Sequence, residues 1–485
     1  MISGEQRGEG SERPFTAARV ASGDASFEVE LERIYAAQQQ NRAAVAASTA
    51  AQRIEKLRRL EAVLLRRQDE VRAAMWQDNR RPAAEVDLAE IYPVASEARH
   101  AARHLRSWMR PRRVRTNLAL SGSSSSIVHE PKGMVLIIAP WNFPFNLTLG
   151  PLVSAVAAGN CVMLKPSEFA PASSAFIREI VHETFDQNEV AVVEGDSSVA
   201  EALLRRRFDH IFFTGSAPIA RHVLRAAAEH LTPVTLELGG KSPIIVDAGA
   251  DVREAARKVA WGKFFNSGQV CIAPDYALVH ESVQTEFLEN LRESLETFGE
   301  SCRGHLINDR HAERIRAMIE QAVTEGARIA IGGAVDGREA APTVLTNVSD
   351  QSSVMREEIF GPVLPVLSWR DREEVVARIA TRESPLAIYL FTKDRSLADY
   401  VIRGTRAGGT AVNHAMVQFF QLELPFGGVG GSGMGKAHGI HGFETFSNAR
   451  SILRQWLPFS PIDLLFPPYR GWLKQKLIDF TVRRL

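Results

Sequence analysis

The chain has 485 residues, of which 45% are apolar and 24% charged, and its formal net charge is +1. That length exceeds one ordinary core, so two or three domains are expected, and a near-zero charge offers no basic field to hold nucleic acid. Cys161, Cys271 and Cys302 are too few and too scattered for a disulfide framework, which points to a reducing, cytoplasmic setting.

The first 26 residues are polar, carry no apolar signal segment and read as a disordered leader. From about Ser26 to Arg106 the chain is rich in Ala, Leu, Arg and Glu and lacks glycine, a helical composition. Residues 121–126, Ser-Gly-Ser-Ser-Ser-Ser, read as a turn or flexible loop. Gly133–Pro140 is then a continuous apolar run, as buried parallel strands show, and similar runs follow at Cys161–Leu164, Val190–Val193, His210–Phe213 and Ile244–Val246. Helical stretches such as Ser173–Phe185 and Ala217–His230 separate them, so the alternation predicts βαβ units and a doubly wound parallel sheet.

After Val270 a second α/β series begins. Strands at Tyr276–Val279, Ile329–Ile331, Val363–Leu367 and Ala387–Phe391 alternate with helices at Gln284–Thr297, Asp309–Thr324 and Arg372–Arg382. The tail from Pro458 carries Pro467-Pro468-Tyr469 and then a short amphipathic helix with Leu473, Leu477 and Phe480 on one face. No apolar run reaches the length of a membrane span, so a soluble protein is expected; attachment of the tail at a membrane interface is the less favoured alternative.

Among the cysteines, Cys161 lies in an apolar strand and Cys302 in a polar loop, positions typical of inert thiols. Cys271 ends Asn266-Ser-Gly-Gln-Val-Cys271, just past an aromatic helix. An exposed thiol there, beside its own backbone N–H, suits nucleophilic chemistry if the setting is electropositive or dipolar. Glu237 stands between Leu236 and Leu238, followed by Gly239 and Gly240. Apolar flanks would raise its pKa toward the range of a general base, although a surface ion pair is an equal reading. Asn142, in Pro140-Trp141-Asn142-Phe143-Pro144, follows a buried strand, where it serves either as an oxyanion donor or in a turn. Lys165 and Glu168 end another strand and could hold ribose hydroxyls. Gly215 and Ser216 precede Pro218 at a helix N-terminus suited to a phosphate. The literal GxGxxG at Gly428–Gly433 lacks a preceding strand and a following helix and is set aside. No metal site is expected.

Taken together, these segments resemble the aldehyde dehydrogenase superfamily, and the match runs in order from about Gly133 to Phe446. It rests on the segments 140–144, 165–168, 213–216, 236–241, 267–271, 358–362 and 425–428. Residues 208–216 and 230–237, with the Pro-Pro-Tyr tail, resemble the class 3 branch, which acts on medium- and long-chain aliphatic and aromatic aldehydes, coniferyl aldehyde among them. The resemblance implies a doubly wound NAD(P)-binding domain (27–109 and 129–238), a second α/β catalytic domain (239–446), an oligomerisation element (110–128 and 447–457) and a C-terminal tail (458–485). It implies a homodimer, with NAD as cofactor and NADP possible.

It further implies that Cys271 attacks the aldehyde carbonyl and carries thiohemiacetal and thioester in turn. Asn142 and the Cys271 N–H hold the oxyanion, and Glu237 activates the hydrolytic water. Trp141, Lys165, Glu168, Gly215, Ser216, Gly239, Glu358 and Phe360 are implied to bind the cofactor. Two departures stand out: Ala220 replaces a usual glycine, and Asn413–Phe420 differs from the common class 3 wording. A CoA-acylating enzyme would lack the base, a non-catalytic relative would have lost Cys271, Glu237 or Asn142, and a cysteine hydrolase would need a histidine partner.

Overall fold

The computed structural model describes residues 25–299 and 304–484. Most of the leader expected over residues 1–26, and Cys302, lie outside the described residues; residues 25 and 26 already belong to the first helix, Ala25–Ala46. The helical reading that follows resolves mainly into Ala50–Arg66, Gln68–Asn79 and Tyr92–Trp108. Thr49 opens the second with a reciprocal capping box to Gln52, which satisfies donors that a helix start otherwise leaves orphaned.

The first sheet has six strands. In spatial order they are Gly433–Met434, Val234–Glu237, His210–Thr214, Met134–Ile138, Cys161–Lys165 and Val190–Val192. All are parallel except Gly433–Met434, which runs antiparallel to the strand ending in Glu237. Both faces are covered, so each strand is apolar on both sides. Val135, Ile137, Val162 and Leu164 enter one core with the helices Ala50–Arg66 and Pro144–Ala158, while Met134, Leu136, Cys161 and Met163 enter another with Ala25–Ala46 and Ala217–Ala228. Cys161 is fully buried there, and burial pushes its thiol up to about 12.

Chain order reverses between Met134–Ile138 and its neighbour His210–Thr214. In open α/β sheets ligands bind at the carboxyl ends of strands beside such a switch point. Asn142, Lys165, Gly215 and Glu237 lie at or just after the carboxyl ends of four adjacent strands.

The second sheet has seven strands, in the spatial order Arg328–Ile331, Thr343–Thr346, Val363–Trp369, Tyr276–His280, Pro243–Val246, Ala387–Phe391 and Gly409–Val412. Only its first pair is antiparallel. A third, antiparallel sheet joins Arg112–Val114, Ser123–Pro131 and Ser447–Gln455.

That third sheet corrects one expectation. Residues 123–126, read from composition as turn or loop, are the start of a nine-residue strand. Its ladder to Ser447–Gln455 is continuous from Ser123↔Gln455 to Pro131↔Ser447. Pairing along one whole edge, and on the other at Ser125–Ile127, satisfies much of the backbone, and serine's low strand propensity costs little where no face must enter a core. Among the described residues no helix is long and apolar enough to cross a membrane.

Candidate active site

Cys271 follows the helix Val252–Phe264 through a turn of unusual backbone. Asn266 and Ser267 adopt left-handed angles (φ 49° and 52°), and Gly268 has φ 70°. A side chain at Gly268 would stand 2.2 Å from the Gly361 carbonyl, so only glycine lets this turn close on the Glu358–Gly361 segment. The turn is braced from several sides. Gln269, wholly buried, donates to the carbonyls of Asn266 and His305 and accepts from the Ile307 N–H. Its own carbonyl accepts from the side-chain amides of Asn142 (3.0 Å) and Asn266 (3.1 Å), and the Tyr389 hydroxyl donates to the Ile272 carbonyl at 2.6 Å.

The thiol itself is half-buried, not exposed as the sequence reading required. Burial, then the nearby Glu358 and Glu237 carboxyls, pushes its pKa up to about 12, against the pull of the Cys271 and Ile272 N–H groups. The dipolar part of the expected setting is present and the electropositive part is not. At rest the sulfur keeps its proton, and a thiolate there requires a base or cation to come to it.

Glu237 is 6% exposed, and both its carboxyl oxygens lack a hydrogen-bond partner among the described residues. Desolvation raises its pKa well above the carboxylate range, with Lys436 opposing. A buried carboxyl without partners is costly when ionised, so it rests protonated and ionises only when charge or water enters the cavity. The surface ion-pair alternative does not apply. The Gly428–Gly433 segment packs beside it, with Gly433 paired to Glu237 in a tight antiparallel turn and no helix following directly.

Asn142 spends one amide proton on Gln269 and keeps the second. It is 3% exposed, and its backbone carbonyl accepts from Arg81 (2.5 Å) and from the Asn266 amide (3.1 Å). Arg81 also donates to Asn266 Oδ1 (2.5 Å) and to Glu90 (2.8 Å), and Glu90 accepts from the Asn146 N–H. One buried guanidinium thus ties the Asn142 loop to the Cys271 turn. No motif drew attention to Arg81; in Asp78-Asn79-Arg80-Arg81-Pro82 it looks like surface charge, and only its partners reveal it.

Glu358 stands over Gly239, where any side chain would lie 2.2 Å from its carboxyl oxygens. Burial, then Asp275, raises its pKa to about 7. The segment it belongs to is pinned by residues the motifs did not single out for a role. Lys241 bonds Asp275 and, at 2.8 Å each, the Val354 and Glu357 carbonyls; Asp275 accepts from the Ile359 N–H; and Arg314 donates to the Glu358 and Ile359 carbonyls. Phe360 has φ 49°, its carbonyl accepts from His311 at 2.8 Å, and its ring meets Trp141 edge-on at 5.5 Å.

Farther along the first sheet, Lys165 is buried and pairs with Glu168 at 2.6 Å, so these charges are not simply solvated. Gly215 abuts the Phe213 ring, and its N–H donates to the Glu237 carbonyl at 3.1 Å. Ser216 caps Ala217–Ala228 by position, but its hydroxyl makes no capping bond and is free to serve a ligand. Ala220 lies on the buried face of that helix, in the same apolar core as Val223 and Ala227.

Cys271 and Glu237 line one cavity, otherwise walled by Tyr92, Phe143, Trp261, Phe265, Phe419 and Phe426. Met416, Phe419 and Phe420, from the departing 413–420 segment, are part of that wall. Thr214, Glu97 and His438 each contribute a buried polar atom with no partner to the same cavity.

A model of the aldehyde dehydrogenase family matches residues 2–452. Aldehyde dehydrogenase family 3 member B1 of Rattus norvegicus is 42% identical over 453 residues, 92% of this chain and 95% of that protein. A probable coniferyl aldehyde dehydrogenase of Pseudomonas aeruginosa is 39% identical over 456 residues, 93% and 95% of the two chains. The solved substrate-bound state of Staphylococcus aureus AldH superposes with a TM-score of 0.88 at 36% identity, covering 93% of this chain and 99% of that one. The chain belongs to the aldehyde dehydrogenase family, class 3-like branch, and is an enzyme that oxidises an aldehyde to the carboxylic acid with NAD(P).

Proposed function

We propose that Cys271 is the nucleophile, Asn142 the oxyanion donor and Glu237 the base that sends the acyl group to water. The observation that carries this reading is the orphaned Glu237 carboxyl lining the same cavity as a protonated thiol. The thiol proton passes to solvent water at the cavity, and attack of the sulfur on the carbonyl carbon breaks the C=O π bond to form a thiohemiacetal oxyanion. The oxyanion is stabilised by the free Asn142 amide proton and the Cys271 N–H, donors already fixed before the reaction. NAD(P), when bound, supplies the hydride acceptor. Glu237, once it has released its own proton to solvent, takes a proton from water as that water attacks the thioester; the C–S bond breaks, the acid leaves and the sulfur is regenerated.

The dinucleotide is assigned to the strand ends at the switch point. Lys165 and Glu168 take the adenosine ribose, Gly215 and Ser216 the pyrophosphate, and Trp141, Gly239, Glu358 and Phe360 the nicotinamide end. Support comes from the uncapped Ser216 hydroxyl and from Gly239, whose missing side chain leaves the Glu358 carboxyl its place. Glu168 repels a 2′-phosphate, which favours NAD, but its pairing with Lys165 softens that repulsion and leaves NADP usable.

The aromatic cavity favours medium- and long-chain aliphatic or aromatic aldehydes over small polar ones. The domain boundaries stated above are retained as part of this reading, as are a cytoplasmic location and a homodimer formed through the three-stranded sheet. The deciding experiment is rapid-mixing kinetics on the Glu237→Gln variant. A normal first-turnover burst of reduced cofactor with slow steady turnover supports the assignment; loss of the burst would overturn it.

A further inference from the structure

Among the described residues, one group outside the reacting centre has the composition and spacing of a metal site. His100 and His104 lie one turn apart on the helix Tyr92–Trp108, and one ligand atom of each lies within 4.8 Å of the others and of a Glu423 carboxyl oxygen. His100 Nε2 is 3.4 Å from Glu423 Oε1. Ligand atoms about 2.0–2.1 Å from a tetrahedral zinc stand about 3.4 Å from one another, so this pair is already at coordinating separation.

Three further features hold the group in that state. His104 Nδ1 lies 2.9 Å from the His100 carbonyl, which can only accept, so Nδ1 carries the proton and Nε2 offers its lone pair. Metal-binding histidines are commonly oriented by such a bond. The His104 ring stacks on Trp108, with centroids 5.9 Å apart and planes 19° apart, and His100 packs against both rings, at 4.3 Å from His104 and 5.7 Å from Trp108. Gly439, with φ +50°, leaves the ground beside His100 open, since a side chain there would lie 3.2 Å from Nε2 and 2.3 Å from the Leu422 carbonyl.

We propose that His100, His104 and Glu423 bind a divalent transition-metal cation of the zinc class, with a fourth position left to water. Two imidazoles and a carboxylate select zinc, nickel or cobalt over magnesium or calcium. The site has a definite place in the molecule. Glu97, one turn before His100, and Leu422, the neighbour of Glu423, both line the substrate cavity. A bound cation therefore staples that helix to the aromatic lip formed by residues 417–423.

The test uses the full chain carrying Cys271→Ser and Cys302→Ser, which removes thiols that would capture zinc themselves. Equilibrium dialysis against zinc chloride is expected to give about one zinc per chain at micromolar free metal. His100→Gln or His104→Gln should weaken uptake at least about tenfold. Glu423→Gln, an exposed change that leaves the fold intact, should weaken it less. Zinc should raise the melting temperature of the parent and not that of the histidine variants. No uptake at about 100 µM zinc, or uptake unchanged in all three variants, would overturn the proposal and leave an ordinary histidine–carboxylate pair.

Discussion

The two walls of the cavity are built on opposite plans. On the nucleophile's side the backbone carbonyls around Cys271 are held by Asn142, Asn266 and Tyr389, with Gln269 and Arg81 locking the turn behind them. On the base's side the Glu237 carboxyl has no hydrogen-bond partner among the described residues, and the Lys436 charge opposes its desolvation. Attack on a carbonyl requires a fixed sulfur and fixed oxyanion donors, because misplacement costs rate directly. A base must exchange its proton in every cycle, and partners that fixed one charge state would hold it there. Rigidity is invested where geometry matters, and orphaned polar atoms are left where protonation has to change.

Removing each wall in turn tests that contrast. Cys271→Ala should abolish aldehyde oxidation, a fall of about ten-thousand-fold or more in steady-state reduction of NAD, with cofactor binding by fluorescence retained; surviving activity would sink the mechanism. Glu237→Gln should lower turnover by about 10²–10⁴-fold while the first-turnover burst persists. Asn142→Ala should cost about 10²–10³-fold in kcat with KM little changed, since the second bond to Gln269 from Asn266 keeps the turn in place.

Arg81→Met probes the bracing itself. It leaves Glu90 buried without its ion pair, and denaturant melts should show a loss of about 3–5 kcal/mol. Arg81→Lys should recover part of the stability but less of kcat, because one ammonium cannot reproduce the guanidinium's fork to Asn142, Asn266 and Glu90. Equal recovery of both would show that Arg81 acts on stability alone.

The smallest effect is in the pH profile. The Glu237 pKa is raised on folding, so this group favours the fold below the ordinary carboxyl pKa and disfavours it progressively as pH rises toward its folded value. The ionised form that accepts water's proton gains population in the same direction. Deacylation should therefore speed up as pH rises toward the raised Glu237 pKa, and Glu237→Gln should flatten that limb; an unchanged limb would assign it to another group.

Much of this was legible in the chain. The buried strands announced themselves as apolar runs, and Ala387–Phe391 and Asp309–Thr324 fall where pattern put them. Local glycines marked real constraints, as at Gly239 and Gly268. Composition failed at Ser123–Ser126, where strand pairing with a segment more than 300 residues away overrides serine's preference for turns. It also gave no hint of Arg81, Lys241 or Asp275 as site supports, since a charged residue looks alike in sequence whether solvated or buried.

By itself the sequence determined the kinds of group present: a cysteine after a glycine turn, a glutamate among leucines, an asparagine after a buried strand, and a lysine–glutamate and a glycine–serine pair at strand ends. Tertiary structure decided their states. A pKa is set by desolvation and by charges within a few ångströms, and those neighbours come from segments far apart in the chain. Hence the thiol that a motif makes a nucleophile rests protonated, and the glutamate that a motif makes a base rests protonated beside it.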